Sequence, residues 1–298
     1  MRVFVTGGTG YVGVPVVREL LRRGHSVTLL ARDASRVPAD LCGLVHVVDG
    51  DLADSTALQI GMNQADAVVH LVGIIRENRR RGITMQAVHV GGTTAVLEAA
   101  RRAGVERLIH MSALGARVGA RSRYHKTKWE AETRVRQSGL KFTIFRPSVV
   151  FGPGGPGENF VRQLATVVRR APVVPVIGDG HFRLQPVHTR TVSATFAAAL
   201  EMDSTIGETF DVGGPSVVEY EDIVREIVDV SGKKRGSVHI PLPIIEVFVR
   251  GATVFGSSPL SMDQLTMLKE GSVVPNGERL YQVFGVEPIP FHIAREDI

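Results

Sequence analysis

The sequence predicts an α/β protein with a doubly wound parallel sheet and a smaller C-terminal lobe. Short apolar, β-branched runs alternate with segments of helical periodicity through the first half of the chain, which is the pattern of strand–helix–strand units. A glycine-rich turn directly follows the first of these runs. From Phe151 onwards glycine and proline become frequent, which marks a change of architecture. We therefore expect a sheet domain over residues 1–150 and mainly a lobe over residues 151–298, with some later segments returning to the sheet.

The individual elements follow from the apolar pattern and from residues that start or stop helices. Apolar runs predict strands at residues 2–5, 27–31, 44–48, 67–72, 107–111, 141–145 and 208–212. Helical spacing predicts helices at residues 14–23, 84–103, 124–137 and 220–231. Gly104 ends the second of these helices, because glycine readily adopts the left-handed conformation found there. Ser261 and Gln264 form a capping-box pattern, which predicts a further helix that ends at Gly271.

The composition is that of a globular protein with a substantial core, since 44% of the 298 residues are hydrophobic and 22% are charged. No apolar run approaches the ~20 residues that span a bilayer. The single cysteine, Cys42, excludes an internal disulfide and fits a reducing compartment. Met1 is followed at once by the first strand, without a presequence pattern. These features predict a cytoplasmic protein without a transmembrane segment.

The net charge of +5 is spread along the chain, which argues against a nucleic-acid partner. Residues 76–81 form the densest basic run, and a short run of this kind is typical of a solvated loop. We expect no metal site. A small anionic ligand needs far fewer positive residues than nucleic acid does, so the basic balance remains compatible with a phosphate-bearing cofactor.

The glycines behind the first strand have the spacing of a phosphate-binding turn. Gly7 permits the tight turn, Gly10 lets the backbone approach a pyrophosphate, and Gly13 lets the helix pack against the strand. The helix then directs its unpaired N–H groups at the phosphates. A plain tight turn and a signal peptide are the alternatives, and four glycines within the apolar stretch disfavour the second. The position between a strand and a helix favours a Rossmann-type dinucleotide site.

The segment Thr6-Gly7-Gly8-Thr9-Gly10-Tyr11-Val12-Gly13 resembles the signature of the short-chain dehydrogenases/reductases, especially their extended and atypical branches. Three further segments are similar to motifs of that family: Gly50-Asp51-Leu52 to its adenine contact, residues 124–128 to its Tyr-x-x-x-Lys motif, and residues 146–153 to the segment that passes the nicotinamide. The resemblance implies a cofactor site formed by these residues: Gly7, Gly10, Tyr11, Val12, Gly13, Arg32, Arg36, Asp51, Leu52, Leu71, Val72, Gly73, Tyr124, Lys128, Pro147 and Val150.

The end of the second strand favours NADP(H) over NAD(H). In the family an acidic residue holds the adenosine ribose hydroxyls of NAD, and that position falls on Ala31. Arg32 follows directly and Arg36 lies one helical turn later, and a guanidinium binds phosphate in a bidentate manner. The alternative is that Arg32 is a surface residue paired with Asp33.

Tyr124 and Lys128 lie four residues apart, so one helical face carries both side chains. A neighbouring ammonium and an oxidised nicotinamide both stabilise a phenolate, so we expect them to lower the tyrosine pKa below its usual value of about 10. By resemblance, Tyr124 is the proton-transferring residue and Lys128 contacts the nicotinamide ribose. Ser112 is the hydroxyl available at the fifth strand, although Ala113 occupies the place of the working hydroxyl in many extended members. His89 stands where an asparagine is usual, and a structural role is the favoured interpretation.

A narrower resemblance connects residues 108–116, 259–264 and 284–288 to an atypical subgroup. This subgroup includes the NAD(P)H-binding accessory subunit of respiratory complex I and proteins similar to nucleoside-diphosphate-sugar epimerases. Two functions follow: an NADP(H)-dependent oxidoreductase or nucleotide-sugar epimerase-like enzyme, or a non-catalytic nucleotide-binding subunit. The substrate would be a small molecule with a hydroxyl or carbonyl group. Residues 84–103 are the expected contact of a homodimer, and packing on the sheet explains their apolar face equally well.

The apolar residues 244–249 and 254–255 admit two interpretations. They are a partner or membrane-surface contact, or they belong to a core or substrate-lid helix, which is the commoner role of an amphipathic segment.

Overall fold

The computed structural model describes residues 1–157, 159–232, 236–254 and 260–298, and gives the backbone alone for residues 252–254. The strands are β1 (Arg2–Thr6), β2 (Ser26–Ala31), β3 (Val45–Asp49), β4 (Ala67–His70), β5 (Arg107–Met111), β6 (Lys141–Pro147), β7 (Val150–Phe151), β8 (Val174–Ile177), β9 (Arg183–Leu184), β10 (Val187–His188), β11 (Thr209–Val212), β12 (Val218–Glu219) and β13 (Ser237–Ile240). The helices are α1 (Gly13–Arg22), α2 (Ser55–Met62), α3 (Gly92–Ala103), α4 (Arg123–Arg136), α5 (Phe160–Arg170), α6 (Thr189–Glu201), α7 (Tyr220–Val230), α8 (Leu242–Val254), α9 (Met262–Glu270) and α10 (Glu278–Phe284).

The central sheet has seven parallel strands in the order β3-β2-β1-β4-β5-β6-β11. This is the doubly wound Rossmann arrangement that the sequence predicts. Side chains alternate between two buried faces: Val3 and Val5 join the core beneath α1 and α6, whereas Phe4 joins the core beneath α2 and α3. Burial on both faces explains the continuous apolar runs over residues 3–5 of β1 and 67–69 of β4.

The last strand of this sheet and one of its covering helices come from the second half of the chain. β11 pairs with β6 in parallel register, and α6 packs against α1. Phe145 of β6 and Phe196 of α6 stack with their ring centroids 4.4 Å apart. The second half therefore contributes to the sheet as well as to the lobe.

The α-helix predicted over residues 84–103 starts later in the structure than its apolar pattern indicates. Residues Gln86–Gly91 form a π-helical turn, and the α-helix proper starts at Gly92. The wider turn buries His89, whose two ring nitrogens both find hydrogen-bond partners. Single π-helical turns of this kind occur frequently at functional sites. Gly104 ends α3 in the left-handed conformation, with φ of 70°, as predicted.

The lobe is built from α5, α7, α8, α9 and three short strand pairs, β7–β10, β8–β13 and β9–β12. The predicted capping box is present, with Ser261 at the N-cap of α9 and Gln264 returning to its backbone. Residues 244–249 belong to α8, in which Val249 is buried while Ile244 and Phe248 are exposed. Phe255 lies outside the described residues. Within the described part of the chain, no helix combines the length and apolar character needed to cross a membrane.

Candidate active site

A cavity of about 1240 Å³ opens at the carboxyl edge of the central sheet and continues into the lobe. The residues that follow the ends of β1, β2, β4, β5 and β6 all contribute to its wall. In open α/β sheets this edge is where ligands bind. Every cofactor-binding and catalytic residue predicted from the sequence lines this one cavity. Their individual roles stay predictions.

The glycine turn has the geometry that the spacing predicts. Gly7 has φ of +78°, which glycine adopts without strain, and the Gly10 N–H donates to the Gly7 carbonyl at 3.0 Å. A Cβ atom on Gly13 would collide with that same carbonyl oxygen. Val12 precedes α1 without a side-chain cap, and the first turn of α1 carries no acidic residue. The helix N-terminus thus fits a pyrophosphate, because its N–H groups and dipole favour an anion.

Tyr11 joins the glycine turn to the glycine- and proline-rich loop of the lobe. Its hydroxyl donates to the Gly152 carbonyl at 2.7 Å, and its carbonyl accepts the Gly155 N–H at 2.9 Å. The Arg162 guanidinium lies 5.3 Å from the centre of its ring. These contacts hold residues 152–157 over the glycine turn. No local sequence pattern indicates them, since the partners are far apart along the chain.

At the end of β2, Arg32 and Arg36 both line the cavity and both are exposed. Asp33 accepts hydrogen bonds from the Ser35 N–H at 3.0 Å and the Ser35 hydroxyl at 2.6 Å. An ion pair between Arg32 and Asp33, the alternative left open by the sequence, is not among the ion pairs of the described residues. The Arg32 guanidinium thus faces the cavity without that partner.

The catalytic helix α4 starts at a serine cap, where the Ser122 hydroxyl accepts the His125 N–H at 3.1 Å. One turn further on, Lys128 is only 3% exposed. Its Nζ atom donates to the Met111 carbonyl at 3.0 Å and to the Val72 carbonyl at 3.5 Å. Burial lowers the pKa of Lys128 to about 8, partly opposed by the charge of Glu132.

The pKa of Tyr124 shifts in the direction opposite to the prediction. Burial of the phenol raises its pKa to about 12. Lys128 alone does not produce the expected lowering, because desolvation dominates and the ammonium of Lys128 is directed at two backbone carbonyls. Tyr124 is therefore protonated throughout the neutral range, and its chemistry at that pH is that of a proton donor.

Ser112 presents a buried hydroxyl to the cavity. The residue is 1% exposed, its N–H donates to the Phe145 carbonyl at 2.7 Å, and its Oγ atom has no hydrogen-bond partner among the described residues. A buried hydroxyl without a partner is costly, and a substrate oxygen would relieve that cost. Ala113, the neighbouring position, also lines the cavity but has no group to donate.

His89 connects the cofactor cleft to the catalytic helix. Its Nε2 atom accepts the Ile74 N–H at 3.0 Å, so Nδ1 carries the proton and donates to Thr127 Oγ1 at 2.8 Å. Burial, and then the charge of Lys128, lower the pKa of His89 to about 2, so the ring is neutral. The Thr127 hydroxyl in turn donates a hydrogen bond to the Tyr124 carbonyl at 3.0 Å. The sequence predicts a structural histidine here but gives no signal for Thr127 as its partner.

Proteins with similar sequences support the fold described above. Residues 3–213 match the sequence model of the NAD dependent epimerase/dehydratase family. The chain is 30% identical over 247 residues to the mitochondrial NADH dehydrogenase (ubiquinone) 1 alpha subcomplex subunit 9 of Arabidopsis thaliana. The aligned region covers 80% of this chain and 60% of that protein, so the chain spans less than two thirds of this relative's length. It is 31% identical over 260 residues to the ceramide reductase of Caulobacter vibrioides, covering 87% and 79% of the two chains.

Among solved structures, the UDP-glucuronic acid 4-epimerase from Bacillus cereus, in complex with UDP-glucuronic acid and NAD, superimposes with a TM-score of 0.70. The two chains are 18% identical, and the match covers 95% of this chain and 100% of the epimerase. At this level of identity the likeness concerns the fold, and the substrate has to be argued from the site itself.

Proposed function

The chain belongs to the NAD dependent epimerase/dehydratase family, and we propose that it is an NADP(H)-dependent oxidoreductase in which Tyr124 transfers a proton to or from a substrate oxygen. One observation carries this proposal. Tyr124, Lys128 and the unpartnered hydroxyl of Ser112 line the same cavity as the glycine turn, so a dinucleotide and a carbonyl compound would meet there.

The three side chains have separate roles in this proposal. When bound, the nicotinamide supplies the hydride acceptor or donor. The Tyr124 phenol, whose pKa burial raises to about 12, donates its proton to the oxygen of a carbonyl substrate. Ser112 donates a hydrogen bond to that oxygen, and Lys128 places a positive charge beside the site while protonated. The protonated phenol is thus suited to donate to a carbonyl oxygen at neutral pH.

The preference for NADP(H) rests on the end of β2. Arg32 and Arg36 line the cavity where the adenosine ribose of a dinucleotide lies in this fold, and Ala31 has no carboxylate to hold two ribose hydroxyls. A bidentate guanidinium suits the 2′-phosphate. The direct test is NADPH consumption at 340 nm with a panel of carbonyl compounds, together with identification by mass spectrometry of any nucleotide retained on purification.

A second candidate is a nucleotide-binding subunit without turnover. The similarity to the mitochondrial NADH dehydrogenase (ubiquinone) 1 alpha subcomplex subunit 9 of Arabidopsis thaliana supports the role of a subunit. The two candidates share the cofactor site and differ at Tyr124, because only the enzyme requires its phenol. Nucleotide binding without any Tyr124-dependent NADPH consumption would favour the subunit.

A further inference from the structure

The part of the cavity that lies in the lobe is apolar. Its wall includes Phe160, Leu164 and Val167 from successive turns of α5, and Ile245 of α8 and Leu268 of α9 face the same space. Leu184 and Ile177 extend this surface from the neighbouring strands. Many hydrocarbon side chains around one chamber favour a ligand with matching apolar surface, because each buried methylene of such a ligand strengthens its binding.

The second half of the chain adds only uncharged side chains to the described part of this wall, and Arg81 of the first half also lines the cavity. Among the described residues from Val150 onward that line the cavity, none is Asp, Glu, Lys or Arg. Of its polar residues, Gln264 Nε2 donates to Gln163 Oε1 at 2.9 Å, and Gln264 Oε1 accepts the Ser261 N–H at 3.0 Å. The diphosphate of a nucleotide-sugar carries charges that require cationic or multiple N–H partners when it is buried. From Val150 onward, the described wall offers no cation for it.

Helix α8 places apolar side chains at the solvent edge of the same chamber. Ile244, Phe248 and Val249 all line the cavity. The first two are 59% and 60% exposed, whereas Val249 is 2% exposed. A hydrocarbon ligand that covers such exposed apolar side chains removes their surface from water, which strengthens its binding. The chamber is therefore apolar from its solvent edge to its inner wall.

We propose that the substrate is a lipid-like ketone or secondary alcohol whose hydrocarbon part occupies the lobe chamber while its oxygen meets Ser112 and Tyr124. This inference rests on the oxidoreductase function proposed above. In the reduction, the carbonyl carbon gains a hydride from NADPH, which becomes NADP⁺. The oxygen gains the proton of Tyr124, and water restores that proton. The substrate class follows from the chamber, since the reacting groups alone accept any accessible carbonyl.

The experiment compares substrates that differ only in their apolar part. NADPH consumption is measured with 2-pentanone, 2-nonanone and 2-tridecanone. For the polar class, NADPH formation is measured with UDP-glucose and NADP⁺. At two- to fourfold per buried methylene, kcat/KM rises at least a hundredfold from the shortest to the longest ketone. Leu164→Gln, which places an amide in the chamber, raises the KM for 2-tridecanone at least tenfold. Ile60→Gln, at an exposed position of α2 outside the cavity, is the matched control.

A binding measurement separates failure of this inference from failure of the proposed function. Displacement of fluorescent cis-parinaric acid by 2-tridecanone is followed in the presence of NADPH, for the parent, Leu164→Gln and Ile60→Gln. If no ketone is turned over but displacement occurs and is lost only in Leu164→Gln, the chamber binds hydrocarbon and the oxidoreductase function is wrong. Turnover of UDP-glucose without dependence on ketone chain length overturns the lipid-like substrate and leaves the dinucleotide enzyme intact. Absence of both ketone turnover and parinaric acid displacement also overturns the lipid-like substrate. Unfolding temperatures and NADPH affinities verify that each variant is folded.

Discussion

The Nδ1 atom of His89 lies 2.8 Å from Thr127 Oγ1, in the helical turn that separates Tyr124 from Lys128. The other nitrogen of the same ring accepts the N–H of Ile74, which follows the cavity-lining residues 71–73. One neutral imidazole thus ties the wall of the cofactor cleft to the helix that carries the proposed catalytic pair. An asparagine at this position would offer one acceptor and one donor in the same manner.

Substitution of His89 tests this positioning role. We expect His89→Ala to lower kcat at least tenfold with little change in the Kd of NADPH, because the catalytic helix loses its connection to the cleft. Loss of the two hydrogen bonds also lowers the free energy of unfolding by about 1–3 kcal/mol. His89→Asn restores kcat to within a few-fold of the parent. Steady-state kinetics with separate NADPH titrations measure these values. A His89→Ala variant with reduced stability but unchanged kcat would mean that the imidazole is purely structural.

Removal of the Tyr124 hydroxyl tests the proposed proton transfer. Tyr124→Phe keeps the ring that packs edge-on to His89 at 5.4 Å, so the fold is retained. We expect kcat to fall by about 10²–10⁴, the usual contribution of a positioned acid or base. Tyr281→Phe, which loses only a hydrogen bond to the Gly213 carbonyl, serves as control and keeps its activity. Equal rates for the two variants would exclude Tyr124 as the proton donor.

Arg32 determines the choice of cofactor in the proposal. We expect Arg32→Ala to weaken NADPH binding at least tenfold, because a charge-assisted hydrogen bond contributes about 1.5–3 kcal/mol. The affinity for NADH stays within twofold, since NADH has no 2′-phosphate. Isothermal titration with both cofactors measures the effect, and Arg102→Ala, an exposed arginine on α3, is the control. Equal loss for NADPH and NADH would contradict the phosphate contact.

The pH dependence of carbonyl reduction follows from Lys128. Burial lowers its pKa to about 8, so the ammonium is present below that pH and is lost above it. Tyr124, with a pKa of about 12, stays protonated over the whole interval. We therefore expect kcat/KM to be constant from pH 6 to about 8 and to fall at higher pH. In Lys128→Arg the fall moves above pH 10, because a guanidinium stays charged there. A break near pH 8 that persists in this variant would assign it to another group.

The glycine turn admits a matched pair of alanine variants. In Gly13→Ala the new methyl group would collide with the Gly7 carbonyl oxygen, whereas at Gly91 the nearest atom to a Cβ is the Gln86 carbonyl oxygen at 3.9 Å. We expect Gly13→Ala to reduce the affinity for NADPH and for NADH alike by more than tenfold. Gly91→Ala leaves both affinities unchanged and does not lower the unfolding temperature, because the position is helical, has room, and alanine favours a helix more than glycine does. Intact binding in Gly13→Ala would exclude this turn as the pyrophosphate site.

The sequence predicts the features that depend on local spacing. Gly7, Gly10 and Gly13 occupy one turn between a strand and a helix, and residues 124 and 128 share a helical face, so neighbours along the chain determine the geometry. Apolar runs predict the strands of the sheet for the same reason, since strands buried on both faces are continuously hydrophobic. The order of the strands is not predicted by this pattern, because doubly wound sheets occur with more than one order.

Contacts between distant segments are not predictable in this way. Tyr11 bonds to Gly152 and His89 to Thr127 across separations of 141 and 38 residues, and no periodicity connects such pairs. The sign of the Tyr124 pKa shift depends on how completely the fold removes water from the phenol. Helical periodicity places Leu164 of α5 on an apolar face, but it does not tell whether that face meets a core or a cavity.

The stacking of Phe145 on Phe196 has a consequence for attempts to cut the protein into parts. A fragment of residues 1–150 retains six of the seven sheet strands but loses β11 and α6, and thus exposes the phenyl face of Phe145. We expect such a fragment to aggregate when expressed alone and to become tractable when the remainder of the chain is co-expressed with it, because the missing strand and helix then associate in trans. Autonomous folding belongs to the whole polypeptide, even though nearly all of the dinucleotide contacts proposed here are encoded before its midpoint.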